Sequence, residues 1–291
     1  MNLGVVGNPR YEGLAEILRQ LVHHAASRGL ALYGEPRLAP FWPAPVGALD
    51  AAPLDALLTF GGDGTLLRGA RLLPDPRVPI LGLNLGRLGF LTTVSPEQLP
   101  HALDALVARR YALEHRLALQ ARVRDVDGHV VWDQRVLNDV VVHKRGVARV
   151  VRLDVTLDAE RVGPYSADGL VVATPTGSTA YSLSAGGPVL VPGVEAMVVT
   201  PVCAHTLAVR PLVVPAHFVV TVEPLPDWAD DLMVSLDGQT ALTLAAGARV
   251  EVCRSAAPVS LVRLDDEGFV ARMRRKFHWG DLSERERRVE P

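Results

Sequence analysis

Asp63 lies in a turn made otherwise of glycine and threonine, Gly61-Gly62-Asp63-Gly64-Thr65. Glycines let a backbone approach an anion with no Cβ in the way. A helix start that follows offers unpaired N–H groups and the positive end of a dipole. That chemistry suits phosphate. A carboxylate inside a phosphate cradle repels its ligand unless it has a task. Two tasks fit: holding a divalent cation, or taking a proton from an attacking hydroxyl. No Gly-Lys-Ser/Thr follows, so this is not a Walker A loop. Taken alone, a tight turn with Asp63 capping a helix accounts for the segment at least as well.

Two further segments carry polar groups in unusual density. Asp168-Gly169 precedes an apolar run, and Thr174-Pro175-Thr176-Gly177-Ser178-Thr179-Ala180-Tyr181-Ser182-Leu183-Ser184-Ala185-Gly186-Gly187-Pro188 follows it. Small hydroxyl residues with glycines offer many hydrogen bonds at little bulk, which suits a ribose or a carboxamide. Tyr181 adds an aromatic wall. Flanking apolar runs, and Leu183 and Ala185 within, favour a partly buried ligand segment over a surface loop. Asn138-Asp139 opens another apolar run. An amide there matches the edge of adenine and a carboxylate matches two ribose hydroxyls; a turn and cap fit the pair equally. Asp237-Gly238-Gln239 reads first as a hairpin turn. The nine histidines show no metal-ligand spacing with Cys203 or Cys253. Neither Gly-x-Ser-x-Gly nor His-Glu-x-x-His occurs.

The elements that must position these residues change character along the chain. Leu3 to Gly7, Leu54 to Phe60 and Ile80 to Leu83 read as buried strands. Leu14, Ile17, Leu18, Leu21 and Val22 recur at helical spacing up to Gly29, and Leu66 to Leu73 forms a helix stopped by Pro74. Residues 34–53 read as a loop. Alternating strands and helices predict an open, mostly parallel sheet. From about residue 113 short strands dominate: Leu117 to Val123 alternates, Asp127-Gly128 marks a hairpin, and strand-like runs continue to Val259–Leu264. The expected division is an α/β domain over 1–112, completed by 266–291, and a β-rich domain over 113–265. Glu267 to Trp279 reads as a helix that packs back on the first domain.

The 291 residues are 48% hydrophobic and 21% charged, a globular balance. A net charge of −2 gives no bulk field toward nucleic acid or an anionic membrane. The start lacks the pattern of a signal peptide, and no apolar run has transmembrane length. With two cysteines, a reducing cytoplasm is the expectation. Only two lysines occur, Lys144 and Lys276.

The motifs in combination and order resemble the NAD kinase family. They are Gly61 to Thr65, Asn84-Leu85-Gly86-Arg87-Leu88-Gly89-Phe90-Leu91-Thr92, Asn138-Asp139, Asp168 to Pro188, Arg210-Pro211-Leu212, Asp237-Gly238-Gln239 and Phe277-His278-Trp279. The resemblance covers most of the chain and is weakest over 30–55 and after 280. It implies an N-terminal α/β domain, a C-terminal β-rich domain and NAD bound between them in a homodimer or homotetramer. It implies that Asp63 is the general base for the adenosine 2′-hydroxyl attacking the γ-phosphate of ATP. Gly61, Gly62, Gly64 and Thr65 would hold phosphates, and Phe90 would wall the adenine. Asn138 and Asp139 would bind adenine and ribose, and Asp168 the nicotinamide end. Thr176, Thr179, Ala180, Tyr181, Ser182, Leu183, Ser184 and Gln239 would line the dinucleotide site. Arg149 and Ser166 fall at positions that vary among relatives; some carry a basic residue where Ser166 stands.

With lysine so scarce, charge on ATP would fall to a divalent ion such as Mg²⁺, backbone N–H groups and arginine. No metal site is expected from protein ligands alone. A lipid kinase shares the Gly-Gly-Asp-Gly-Thr turn but needs an apolar pocket or membrane surface, which the hydroxyl-rich 174–184 does not suit. A non-catalytic nucleotide sensor has no use for Asp63. A dehydrogenase needs a Gly-x-Gly-x-x-Gly after the first strand, which is absent. Inorganic polyphosphate in place of ATP stays open.

Overall fold

A computed structural model of the chain describes residues 1–86, 89–145, 150–206, 208–225 and 232–279. It divides into two units, Met1–Glu114 with Ser260–Pro291, and His115–Val259.

The first unit is built on strands β1 (Asn2–Gly7), β2 (Ala31–Gly34), β3 (Gly47–Ala48), β4 (Ala56–Gly61), β5 (Ile80–Asn84) and β6 (Ala112–Arg116). Its helices are α1 (Leu14–Ala26), α2 (Asp63–Leu72) and α3 (Leu99–Val107). The sheet runs β3-β2-β1-β4-β5, then strand Val259–Arg263, then β6. Pairs from β3 through Val259–Arg263 are parallel. Leu58 and Phe60 of β4 face the core formed with α1 and α3. Leu57 and Thr59 point the other way, where a Cβ on Gly69 of α2 would sit 2.9 and 2.8 Å from their methyl carbons. Burial on both faces is why β1 and β4 read as unbroken apolar runs. The order reverses between β1 and β4, and both carboxyl ends there open onto the glycine turn. In such sheets that crevice is where ligands bind.

The loop over 34–53 contains a 3₁₀ turn, Pro36–Phe41, and the short edge strand β3. At its start lies a buried ion pair. Glu35 is 3% exposed and accepts the Gly7 N–H at 3.0 Å. Arg68 of α2 meets both its oxygens, Nη2 at 2.9 Å from Oε1, and also donates to the Gly7 carbonyl. A bidentate guanidinium thereby ties α2 to the end of β1. Helix α3 was not legible as such; Ser95 and Gln98 form a reciprocal capping box one turn before it.

The second unit contains β7 (Leu119–Arg124), β8 (Val130–Val136), β9 (Asp139–Lys144), β10 (Val151–Leu157), β11 (Glu160–Ala167) and β12 (Gly169–Ala173). A short helix α4 (Tyr181–Ser184) follows, then β13 (Ala196–Val202), β14 (Leu212–Pro215), β15 (Val220–Pro224), β16 (Leu232–Leu236), β17 (Thr240–Thr243) and β18 (Arg249–Arg254). Among the described residues they form two sheets, β11-β10-β15-β18-β7-β8 and β14-β13-β12-β9-β16-β17, with antiparallel pairs. Inward residues of both sheets share one core, including Leu119, Leu153 and Val250 from one and Val140, Leu170 and Val234 from the other. This is face-to-face sheet packing.

The chain then returns to the first unit. Strand β19 (Val259–Arg263) pairs in parallel with β5, Leu261 opposite Ile80. Sequence reading grouped this run with the β-rich series. Its full burial is what membership in a parallel sheet demands. Helix α5 (Phe269–Phe277) ends at His278, which adopts a left-handed conformation, φ 51°.

Candidate functional site

Asp63 is the first residue of α2, and Gly62 before it is extended, φ −99° and ψ −169°. A carboxylate in the first turn is favoured by the helix dipole. Its oxygens do not cap α2. They reach across to residues 90–92: Oδ2 accepts the Phe90 N–H at 2.7 Å, and Oδ1 accepts the Leu91 and Thr92 N–H groups at 3.0 and 3.2 Å. The Thr92 hydroxyl adds a contact at 3.3 Å. Gly89 is required for this approach, since a Cβ there would lie 2.1 Å from Oδ1. Gly61 is required on the other side, where a Cβ would meet Thr65 Oγ1 at 2.2 Å. Thr65 is 9% exposed, so its hydroxyl is packed against the strand end, while Gly64 is exposed.

The far side of the Leu91 peptide is also held. Arg263 donates to the Leu91 carbonyl at 3.1 Å and pairs with Glu114 at 2.6 Å. Phe90 is 6% exposed and sits in an aromatic cluster, 5.7 Å from the Phe269 ring and 5.4 Å from Phe277. It is therefore packed among side chains of α5 rather than standing as an open wall. Lys276 from the same helix lies 3.9 Å from Asp63 Oδ2 and 4.6 Å from the Phe90 ring centre. Phe269 and Lys276 were missed as site residues by sequence reading, which gave α5 as a helix packing back on the first domain and Phe277 only as part of a family motif. Arg87 and Leu88 lie outside the described residues.

In the second unit the polar segments meet at one end of the sheet containing β9, β12 and β16. Asp237 and Gly238 both have positive φ, 50° and 63°, as a type I′ hairpin turn requires. The Asp237 side chain does more than turn the chain. It accepts the N–H groups of Leu137, Asn138 and Asp139 at 3.2, 2.6 and 3.3 Å. From the other neighbour strand, Thr174 N–H bonds the Asn138 carbonyl at 2.9 Å. A Cβ on Gly177 would lie 2.0 Å from that same carbonyl oxygen. Asn138 is thus gripped through its backbone on both sides, while its carboxamide oxygen is buried with no partner among the described residues. Gln239 follows the turn, partly buried.

The hydroxyl run divides into two sets. Thr174, Ser178 and Ser182 are fully buried and bond inward: Thr174 to the Leu137 carbonyl at 2.6 Å, Ser178 to the Pro175 carbonyl at 2.7 Å, and Ser182 to Thr200 at 2.9 Å. Thr176 is 7% exposed and takes a bond from Arg116 at 3.3 Å. These residues hold α4 on the outer face of the sheet. Thr179, Ala180 and Leu183 are partly buried, and Tyr181 and Ser184 are exposed. At the opposite end of β12, Asp168 pairs with Lys144 at 2.8 Å, with His205 at 3.9 Å. Ser166, partly buried, accepts the His205 N–H through its carbonyl at 2.9 Å. Arg149 lies outside the described residues.

Asp139 is 4% exposed. Burial, then the neighbouring Asp237 carboxylate, pushes its carboxyl up from 3.8 to about 7. The folded state therefore keeps this proton over a range where the unfolded chain has lost it. Stability should fall as pH rises from about 4 to about 7, by on the order of 4 kcal/mol for this group. Asp139→Asn removes the ionisation, so its melting temperature should gain on the parent's steadily between pH 4.5 and about 7 and level off above that. Parallel curves of melting temperature against pH would count against the burial argument.

As for metals, residues 61–65 and 89–92 bring one carboxylate, Asp63, to the turn. That fits an ion delivered on a nucleotide's phosphates and not an all-protein cage. Among the described residues a group of three possible ligands, Asp125, Asp127 and His129, sits on a hairpin whose hydrogen bonds are internal.

The sequence compares with known proteins as follows. The ATP-NAD kinase N-terminal domain model matches residues 16–111, and the ATP-NAD kinase C-terminal domain model matches residues 137–264. The chain belongs to the NAD kinase family. The NAD kinase of Gemmatimonas aurantiaca is 45% identical over 98% of this chain and 99% of its own length. Yeast NADH kinase, solved with NADH, shares the fold, with a TM-score of 0.86 at 24% identity over 96% of this chain and 88% of that one. An NAD kinase from Archaeoglobus fulgidus, solved with ATP, gives 0.73 at 25% identity over 96% and 98%. The α/β and β-rich architecture is that of the family. No described helix is long and apolar enough to cross a membrane.

Proposed function

We propose that the chain transfers the γ-phosphoryl group of ATP to the 2′-hydroxyl of the adenosine ribose of NAD, giving NADP. The observation that carries this is the placement of Asp63. Its carboxylate stands at the start of α2, at the carboxyl ends of β1 and β4, held in one orientation by the amides of residues 90–92. Phosphoryl transfer asks for positioning and charge neutralisation more than for covalent chemistry. Asp63 takes the hydroxyl proton. Gly61, Gly62, Gly64 and Thr65 shape the turn that meets phosphate, and a divalent ion, Mg²⁺ in our reading, neutralises it.

The second unit supplies the acceptor's contacts. The unpartnered carboxamide oxygen of Asn138 suits the exocyclic amine of adenine, and Asp139 suits the ribose. Thr179, Ala180, Tyr181, Leu183, Ser184 and Gln239 supply the surrounding surface, with Thr176 and Ser182 fixing it from beneath. Asp168 and Ser166 serve the nicotinamide end. β12 separates Asp168 from Thr174 by about 15–20 Å at the usual strand rise, a span that suits an extended dinucleotide. Cys203 and Cys253 are unbonded, which fits a reducing cytoplasm. We read the protein as a homodimer or homotetramer, as the family resemblance implies. A lipid kinase finds no support, since both matching models are those of ATP-NAD kinases.

The test is one assay with labelled nucleotide, offering NAD and dispersed diacylglycerol. Label should enter NADP, should require a divalent cation, and should not enter lipid. Label in lipid alone overturns the proposal. A parallel arm with polyphosphate reads out the second donor.

A further inference from the structure

The four contacts that hold Asp63 leave its two oxygens unequal. Oδ1 accepts two amides and a hydroxyl, whereas Oδ2 accepts one amide, from Phe90. A carboxylate oxygen has two lone-pair directions, so the open acceptor position belongs to Oδ2. The charged group facing that oxygen is Lys276, with Nζ 3.9 Å away. That is too far for a hydrogen bond, and Lys276 makes none to another described residue. Its ammonium rests on the Phe90 ring at 4.6 Å. The side chain is one-third exposed, and that of Asp63 about one-quarter. A lysine that served only to pin α5 would close on its carboxylate. This one stands back, with three N–H donors directed at no oxygen of another described residue, at the open side of the candidate base.

We propose that Lys276 is a catalytic residue that contacts the transferring phosphoryl group. The proposal rests on Asp63 being the base. In the step, the 2′-oxygen of ribose bonds to the γ-phosphorus of the nucleoside triphosphate as the bond from that phosphorus to the β–γ bridging oxygen breaks. The electron pair leaves with the diphosphate, and the hydroxyl proton passes to Asp63 Oδ2. Negative charge on the phosphoryl oxygens then lies beside a carboxylate. A cation placed at Oδ2 offsets that repulsion and gives the phosphoryl oxygens a donor as their charge redistributes. The function that a P-loop lysine performs elsewhere is supplied here from the last helix.

Lys276→Met should lower kcat by about 10²–10³-fold, the usual loss for one donor to a developing anion. KM for NAD should stay within about threefold, and Lys276→Arg should recover most of the rate. A purely structural lysine would not split kcat from KM in this way. A Lys276→Met enzyme with kcat within threefold of the parent overturns the proposal. The same result beside an inactive Asp63→Asn enzyme overturns it alone, whereas an active Asp63→Asn enzyme overturns the base assignment instead.

Should Lys276→Met not fold, the unaltered protein carries the test. Lys144 and Lys276 are its only lysines, so amine labelling read by mass spectrometry resolves each. Magnesium tripolyphosphate should slow labelling of Lys276 at least fivefold and leave Lys144 unchanged. Equal labelling with and without tripolyphosphate overturns the proposal.

Discussion

Asp63→Asn is expected to lower kcat for NADP formation by about 10²–10⁴-fold, the range for loss of one well-placed base. The amide has nearly the shape of the carboxylate but cannot take the proton. It also turns one oxygen into a donor, although both oxygens of Asp63 face N–H groups of residues 90–92. One of those amides would then meet another donor, at a cost of about 1–3 kcal/mol in stability. NAD binding, measured by calorimetry, should survive, because most of the contacts assigned to the dinucleotide lie in the second unit. Turnover within threefold of the parent would show that the proton goes elsewhere. Loss of NAD affinity with loss of turnover would point to collapse of the turn.

Gly89→Ala is expected to be nearly as damaging although Gly89 touches no substrate in our reading. The added methyl would sit 2.1 Å from Asp63 Oδ1 and 2.6 Å from Cγ. The carboxylate must therefore move by about 1 Å or release its amides. A misplacement of that size costs roughly 10²-fold in rate. The backbone of Gly89 is not in the left-handed region, so alanine is otherwise acceptable there. The variant should fold, bind NAD with near-parental affinity and turn over slowly. Crystals of the variant should show Asp63 rotated away from residues 90–92. Parental kcat would mean that the latch on Asp63 is not part of catalysis.

These two residues show what sequence conveys and what it withholds. The glycine turn and the apolar run of β4 are local patterns, and both were legible. The latch was not, because Asp63 and residues 90–92 meet only after α2 and β5 have formed. Lys276 and Phe269 lie seven residues apart, and Phe277 eight, so they share a helical face that sequence can reveal. What the face meets is Phe90, some 180 positions earlier, and no periodicity reports that. Asp139 taught the opposite lesson. Its identity suggested the ribose contact that we propose, but no local pattern told that its position at the start of a central strand buries it and ties its charge to pH. Asp237 was read as a turn and is one, yet its carboxylate also organises three amides about 100 residues away. The hydroxyl run was legible as a group; its division into inward and outward members depended on the pairing of β12 with β13.

The return of the chain to the first unit has a consequence for synthesis. β6 is separated from β5 by β19, whose residues are 259–263. A ribosome that has released residue 114 must add about 150 more before the strand between them exists. At 5–20 residues per second that is roughly 7–30 s. During that interval the edge of β5 and the underside of residues 90–92 wait without Arg263, and Phe90 waits without Phe269 and Phe277. The second unit, continuous from 115 to 259, meets no such delay. The nascent protein thus completes its β-rich half first, and the Asp63 turn receives the supports of β19 and α5 only as residues 259–277 emerge.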